Sequence, residues 1–249
     1  MRPLVGRSVL VTRPADQSDE LVRRLRRSGA TTIVAPTIDI VPARSTALTA
    51  ALRDLSAGRF SWITLTSRST VEMLAARLDA PTDVRAKVAA IGDGTANAFR
   101  AWARRTPDLM PETFTTVGLA RAFPRGEGRV LCPRADIAPA GLEEALAAKG
   151  WSPVRVDAYR TRMARSLPAD ARAALREGRV DAITFTSAST VRGFVGATSV
   201  VRGDPKVIVI GPVTAGEARE RGLRVSAVAR PHTIEGLVAA VERVFPPGR

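Results

Sequence analysis

Short runs of β-branched and apolar residues alternate along the chain with longer stretches in which apolar positions recur every three or four residues. The first pattern predicts strands at 8–12, 31–35, 61–65, 87–91 and 130–132, then at 153–156, 180–185, 206–210 and 224–228. The second predicts helices near 16–28, 68–78, 95–104, 138–149, 189–195, 214–221 and 233–244. Strands that alternate with helices in this way form parallel sheets covered on both faces, as in doubly wound folds. Two proline-flanked segments, 36–42 and 157–162, are extended but break the rhythm. They are expected to be inter-domain connectors rather than core strands, with a ligand cleft beside them.

The pattern also repeats. The segment ITLTSRSTV at 63–71 recurs as ITFTSASTV at 183–191, identical at seven of nine positions and offset by 120. IGDGTA at 91–96 matches IGPVTA at 210–215, and VLVTR at 9–13 matches VLCPR at 130–134. Each head is followed by a helical stretch that stops at a glycine, Gly29 and Gly150, which lie 121 residues apart. Two copies of one unit therefore fill the chain, and its 249 residues suit two domains of about 120.

Composition narrows the chemistry. Cys132 is the single cysteine, which excludes an internal disulfide and agrees with a reducing compartment. His232 is the single histidine, so zinc, haem and Ser-His-Asp arrangements have no ligand set to draw on. Apolar runs fall far short of a membrane span, and the first residues lack the layout of a secretory signal. A cytosolic protein is expected. The net charge of +14, from 38 basic and 24 acidic side chains, attracts anions of any kind; arginine in place of lysine and abundant alanine also fit GC-rich coding bias.

In open parallel sheets ligands bind beyond the carboxyl ends of the strands, where the repeated motifs fall. Thr66-Ser67-Arg68-Ser69-Thr70 and Thr186-Ser187-Ala188-Ser189-Thr190 each follow a strand and open a helix. Hydroxyls and free N–H groups at a positive helix end make a cradle for carboxylate or phosphate; plain N-capping explains one copy equally well. Gly92 and Gly211 complete neither GxGxxG nor a GxxxxGK motif followed by Ser or Thr, which disfavours nucleotides. They are expected to permit tight strand-to-helix turns, with Thr95 and Thr214 facing the ligand edge. Tyr159, the only tyrosine, sits in a connector and either donates a proton or packs as an interfacial aromatic. Arg13 and Arg134 occupy equivalent positions and either pair with carboxylates or lie solvated at the surface. Cys132 is expected to be buried, and His232 to serve as a cap or surface residue.

At these residues the chain resembles the uroporphyrinogen-III synthases over almost its whole length. The shared features, in order, are VLVTRP at 9–14, the turns at Ser67 and Ser187, Tyr159, Ile210-Gly211 with Thr214-Ala215, and HTIEGL at 232–237. The resemblance implies an α/β fold of two flavodoxin-like doubly wound parallel-sheet domains joined by a two-stranded β-ladder. The head of copy one then completes the domain formed by the tail of copy two: 1–36 plus 165–249, and 42–160, with connectors at 37–41 and 157–164.

By the same resemblance the substrate is hydroxymethylbilane, a flexible linear tetrapyrrole bearing eight carboxylates. Loss of the ring A hydroxyl gives an azafulvene cation, ring D attacks through its substituted carbon, and a spiro intermediate recloses with ring D inverted. No cofactor or metal is implied. The expected protein is a cytoplasmic monomer without nucleic-acid or membrane partners, acting alone or beside hydroxymethylbilane synthase. Tyr159 is the candidate acid. Substrate-binding candidates are Arg13, Ser67, Arg68, Ser69, Gly92, Thr95, Arg134, Ser187, Ala188, Ser189, Gly211 and Thr214, and the Arg68/Ala188 difference makes the two cradles non-equivalent. Two rivals are a non-catalytic regulatory relative that contacts nucleic acid, and a receptor for another small anion. The first lacks any DNA- or RNA-binding motif and has only 4% aromatic residues.

Overall fold

A computed structural model describes residues 2–198 and 200–246. The outermost ends of the expected first domain, Met1 and residues 247–249, lie outside the described residues. The chain forms two compact units, Met1–Asp39 with Arg162–Arg249 (unit one) and Ile40–Thr161 (unit two). It opens with β1 (Ser8–Val11), α1 (Asp19–Arg27) and β2 (Thr31–Val34), then crosses through β3 (Ile38–Pro42). Unit two follows as α2 (Thr46–Ser56), β4 (Trp62–Leu65), α3 (Arg68–Ala75), β5 (Lys87–Ala90), α4 (Asp93–Ala103), α5 (Thr116–Ala122), β6 (Arg129–Ala135) and α6 (Gly141–Ala147). The long strand β7 (Ser152–Met163) returns the chain to α7 (Ala169–Arg176), β8 (Ala182–Phe185), α8 (Ala188–Ala197), β9 (Lys206–Val209), α9 (Pro212–Glu220), β10 (Val225–Val228) and α10 (Ile234–Val244).

The sheet of unit one runs β2-β1-β8-β9-β10, with every neighbouring pair parallel. That of unit two runs β5-β4-β6-β7-β3, and its first four strands are parallel. The head of one repeat thus pairs with the tail of the other in both sheets. Registers agree across the duplication: Ser8 faces Thr31 in one head and Arg129 faces Ser152 in the other. Around β3 the bonds Ala43 N to Ala158 O (3.2 Å) and Ala164 N to Thr37 O (2.9 Å) run in opposite chain senses, so β3 and β7 form an antiparallel ladder.

Strands with helices on both faces bury successive residues on alternate sides, which is why their runs are uniformly apolar. In unit one, Val9, Val11 and Ile208 pack beneath α1 and α10, while Leu10, Ile183, Val207 and Val209 pack beneath α7, α8 and α9. In unit two, Ile63, Leu65, Val88 and Leu131 pack against α2, α3 and α4, and Trp62, Ala89, Val130 and Cys132 against α5 and α6. Helix α1 is set by charge as well as by its buried Leu21, Val22 and Leu25. Asp19 and Glu20 occupy its first turn and Arg24, Arg26 and Arg27 its last, complementing the helix dipole.

Two features depart from expectation. Helices α2, α5 and α7 are additional; α2 buries Leu48, Ala51, Leu52 and Leu55, α5 Leu119 and Ala120, and α7 Ala171, Ala174 and Leu175. The stretch 157–162, expected as a connector outside the core sheet, continues β7 and pairs with β6 as far as Ala135 opposite Tyr159. Hydrogen-bonded pairing on both sides, to β6 and β3, makes a strand of what composition alone marks as a link.

Both heads end their helix in the same way. Gly29 and Gly150 have φ of 97° and 96°, and the residues after them bond back five positions, Ala30 N to Leu25 O (3.1 Å) and Trp151 N to Leu146 O (3.3 Å). This is the left-handed Schellman stop, which disfavours any Cβ. Space is closed too: an added Cβ would stand 2.8 Å from Val5 Cγ2 at Gly29 and 2.6 Å from Gly126 O at Gly150. Gly29→Ala and Gly150→Ala are each expected to cost at least about 1–2 kcal/mol in equilibrium urea unfolding. Gly216→Ala, inside α9 with open space around it, is expected to stabilise by roughly 0.5–1 kcal/mol in the same measurement.

Candidate active site

In a doubly wound sheet the ligand crevice opens where neighbouring strands send their helices to opposite faces. In unit two that point lies between β6, whose α6 covers one face, and β4, whose α3 covers the other. The loop leaving β4 carries Ser67, in extended conformation, as the N-cap of α3: its Oγ accepts from Thr70 N at 3.1 Å. The same Oγ lies 3.0 Å from Thr70 Oγ1 and 2.9 Å from the Tyr159 hydroxyl.

Tyr159 reaches this point because β7 slips by one residue against β6. Arg134 faces Asp157, but Ala135 faces Tyr159, so Ala158 is the extra residue of a bulge. A bulge re-aims side chains, and here both Ala158 and Tyr159 join the core on the α3 side. Asp136 locks the geometry: its N–H donates to Tyr159 O (3.1 Å) and its Oδ1 accepts from Thr161 N (3.0 Å). Tyr159 is 8% exposed, and burial raises the pKa of its phenol above the ordinary value. The Ser67 hydrogen bond and the Arg134 charge oppose that rise, while Asp136 and Glu72 add to it.

Arg134 is not a solvated surface residue. It is 3% exposed, and its Nη1 donates to Glu143 Oε1 of α6 at 3.0 Å, while its Nε and Glu143 Oε2 are buried with no hydrogen-bond partner. Its guanidinium is held inside the unit by that ion pair. Arg13, likewise drawn in after β1, is 8% exposed. Glu143 was not marked by the sequence reading; the signal available was an acid nine residues after an arginine at a strand end. Arg68 and Ser69 stand in the first turn of α3, Arg68 exposed and paired with Glu72 at 3.6 Å. Cys132 is fully buried beside Thr64, and desolvation pushes its thiol pKa up to about 12.

Unit one builds the corresponding turn from the same letters with a different result. Ser187 caps α8, accepting from Thr190 N at 3.2 Å, with Ala188 and Ser189 in the first turn. Its Oγ meets Ser189 Oγ at 2.9 Å, and Thr190 Oγ1 turns back to Ser187 O at 2.7 Å. The position equivalent to Tyr159 is Ile38, so this turn has no phenol to bind. N-capping is thus present in both copies, and only Ser67 adds a tyrosine contact.

Gly92 and Gly211 begin α4 and α9 beside these turns, where Ile91 N bonds Leu65 O and Ile210 N bonds Phe185 O, both at 2.9 Å. The expectation of a glycine-dependent tight turn does not hold. Their φ values, 174° and −169°, suit any residue. At Gly92 the constraint is space, since a Cβ would lie 2.8 Å from Phe114 Cγ; at Gly211 the nearest group is the His232 ring at an ordinary 3.6 Å. Thr95 and Thr214 are buried in the first turns. His232 is exposed and its Nδ1 lies 2.8 Å from Ala229 O, while Thr233 caps α10. No helix among the described residues is long and apolar enough to cross a membrane.

The profile of the family described as uroporphyrinogen-III synthase HemD matches residues 19–239. The uroporphyrinogen-III synthase of Synechococcus elongatus is 33% identical over 97% of this chain and 97% of its own. Among solved structures, a mutant uroporphyrinogen III synthase of Thermus thermophilus aligns with TM-score 0.68 at 21% identity, covering 95% of this chain and 98% of its own. The uroporphyrinogen-III synthetase of Helicobacter pylori 26695 aligns with TM-score 0.63 at 16% identity, covering 96% and 99%. At such identities the structural likeness carries the fold alone.

Glu143→Ala strips the partner from a buried guanidinium and is expected to destabilise unit two by about 3–5 kcal/mol in urea unfolding. Cys132 is expected to stay inert to thiol reagents at pH 8 in the folded protein and to react once denaturant is added.

Proposed function

This chain belongs to the uroporphyrinogen-III synthase family, and from that membership we propose that it closes hydroxymethylbilane into uroporphyrinogen III, with inversion of ring D and loss of water. The reading makes it a cyclising hydro-lyase of tetrapyrrole biosynthesis. One observation carries the assignment of chemistry: a single buried phenol, Tyr159, held 2.9 Å from Ser67 at the switch point of its sheet.

A phenol kept neutral by burial is an acid with its proton still on it at neutral pH. Tyr159 gives that proton to the departing hydroxyl, which leaves as water with the C–O bonding pair. The products of this step are the azafulvene cation and the Tyr159 phenolate. Ring D attacks through its substituted carbon, the spiro intermediate fragments and recloses, and the proton lost on rearomatisation restores the phenol. Charge balances at each step, and nothing beyond the bilane is consumed.

Binding falls to the helix-opening turns. Ser69, Ser187 and Ser189 supply hydroxyls, and the first turns of α3, α8, α4 and α9, the last two holding Thr95 and Thr214, supply N–H groups where carboxylates are stabilised by the helix ends. The net charge of +14 favours capture of an octacarboxylate. Because the bilane also closes unaided without inversion, the protein's task is to favour one conformation. A hundredfold preference needs only ~2.7 kcal/mol of differential stabilisation, within reach of a few such contacts. In this reading the protein works in the cytoplasm as a monomer, alone or beside the enzyme that supplies its unstable substrate.

With freshly made bilane and separation of the type I and type III isomers, the protein is expected to yield type III in excess; a ratio left at the spontaneous value overturns the reading. Tyr159→Phe is expected to lower kcat by about 10²-fold while the thermal unfolding midpoint stays close to that of the parent. Unchanged turnover removes Tyr159 from the mechanism.

A further inference from the structure

Building on the reading of Tyr159 as the acid, we propose that Ser67 is its positioning residue, donating a hydroxyl hydrogen bond to the phenol oxygen so that the phenol's own proton points to the ligand, with Thr70 as the hydroxyl behind it. The first support is the contrast between the two copies. The pentapeptides 66–70 and 186–190 differ only at Arg68 and Ala188, and both serines cap a helix. In unit one the spare hydroxyl bonds stay within the turn, Ser187 to Ser189 and Thr190 to a backbone carbonyl. In unit two they line up instead, Thr70 Oγ1 to Ser67 Oγ at 3.0 Å and Ser67 Oγ to Tyr159 Oη at 2.9 Å.

The second support is a count of protons. A serine hydroxyl has one donor and two acceptor positions. Ser67 Oγ uses one acceptor on Thr70 N–H at 3.1 Å. With Thr70 donating into the second, the Ser67 proton has the phenol oxygen as its acceptor, and the Tyr159 proton is left unspent. When that proton departs, the Ser67 bond becomes charge-assisted and strengthens, so it favours the phenolate over the phenol. The N-terminal end of α3, on which Ser67 sits, acts in the same sense. Other charges facing the phenol are Arg134 from β6, which favours the phenolate, and Asp136 after β6 and Glu72 of α3, which oppose it.

A capping residue alone and a positioning residue give different readouts. Tyr159 is the only tyrosine in the chain, so ultraviolet absorbance of the phenolate against pH titrates this one group without substrate. Ser67→Ala is expected to move that titration upward by about one pH unit and to lower kcat about tenfold with KM little changed, and Ser67→Thr to restore both. Ser45→Ala, which removes the like cap of α2 on Leu48 N, is expected to leave the titration in place. Added to Tyr159→Phe, Ser67→Ala is expected to cost no further turnover. An unmoved titration in Ser67→Ala, or a full additional loss in the double variant, overturns the proposal. If the titration shifts while Tyr159→Phe retains full turnover, the hydrogen bond stands but the acid role fails, and the positioning role fails with it.

Discussion

The pairing of β1 with β8 joins residues some 172 positions apart, and the whole of unit one depends on it. Three residues of each strand lie in register, Val9, Leu10 and Val11 against Ala182, Ile183 and Thr184. Side chains reinforce the seam: Thr12 Oγ1 donates to Thr184 O at 2.8 Å, Thr184 Oγ1 to Leu10 O at 3.1 Å, and Ser8 N to Asp181 Oδ2 at 2.8 Å. Both threonines are fully buried, and hydroxyls in a sheet covered on both faces must find backbone acceptors or pay a desolvation cost. In unit two, β4 and β6 make the matching seam through Trp62 with Val130 and Ile63 with Leu131. Each seam sets a strand end beside a helix-opening turn, that of α8 in unit one and that of α3 in unit two.

Much of this was legible in the residues. Runs such as 206–210 are apolar at every position after the first because both faces are covered, and the glycines at 29 and 150 mark helix ends that favour a left-handed residue. Helices α5 and α7 escaped notice because they are short and alanine forms much of their buried face, as with Ala120, Ala171 and Ala174, and alanine contrasts weakly with its polar neighbours; α2, with Leu48, Leu52 and Leu55 buried at helical spacing, was legible and was missed. The stretch 157–162 looked like a linker because it is extended and breaks the alternation of strands with helices. Its place in the sheet comes from two partner strands that no local pattern reveals.

The turns at Ser67 and Ser187 were visible as a repeat that differs at Arg68 and Ala188, but their different hydrogen-bond partners were not. What separates them is a partner 92 residues away, Tyr159, delivered by a bulge whose cause lies in strand register rather than in composition. Arg134 gave a similar lesson. Its equivalence to Arg13 was plain and both are buried, but the acid that pairs with Arg134, Glu143, corresponds to Val22 in the other copy. Duplication supplied two like frames, and in only one of them does the capping serine meet a tyrosine hydroxyl.

The exchange of heads also orders events during synthesis. Unit two is continuous in sequence, from Ile40 to Thr161, and can close its sheet as soon as β7 has left the ribosome. The segment made before it has no such prospect: β1, α1 and β2 wait for β8, β9 and β10, which emerge after unit two. Throughout translation the nascent amino-terminal βαβ element carries Val9, Leu10 and Val11 without their final neighbours, and a release from the ribosome before β8 is made strands it permanently.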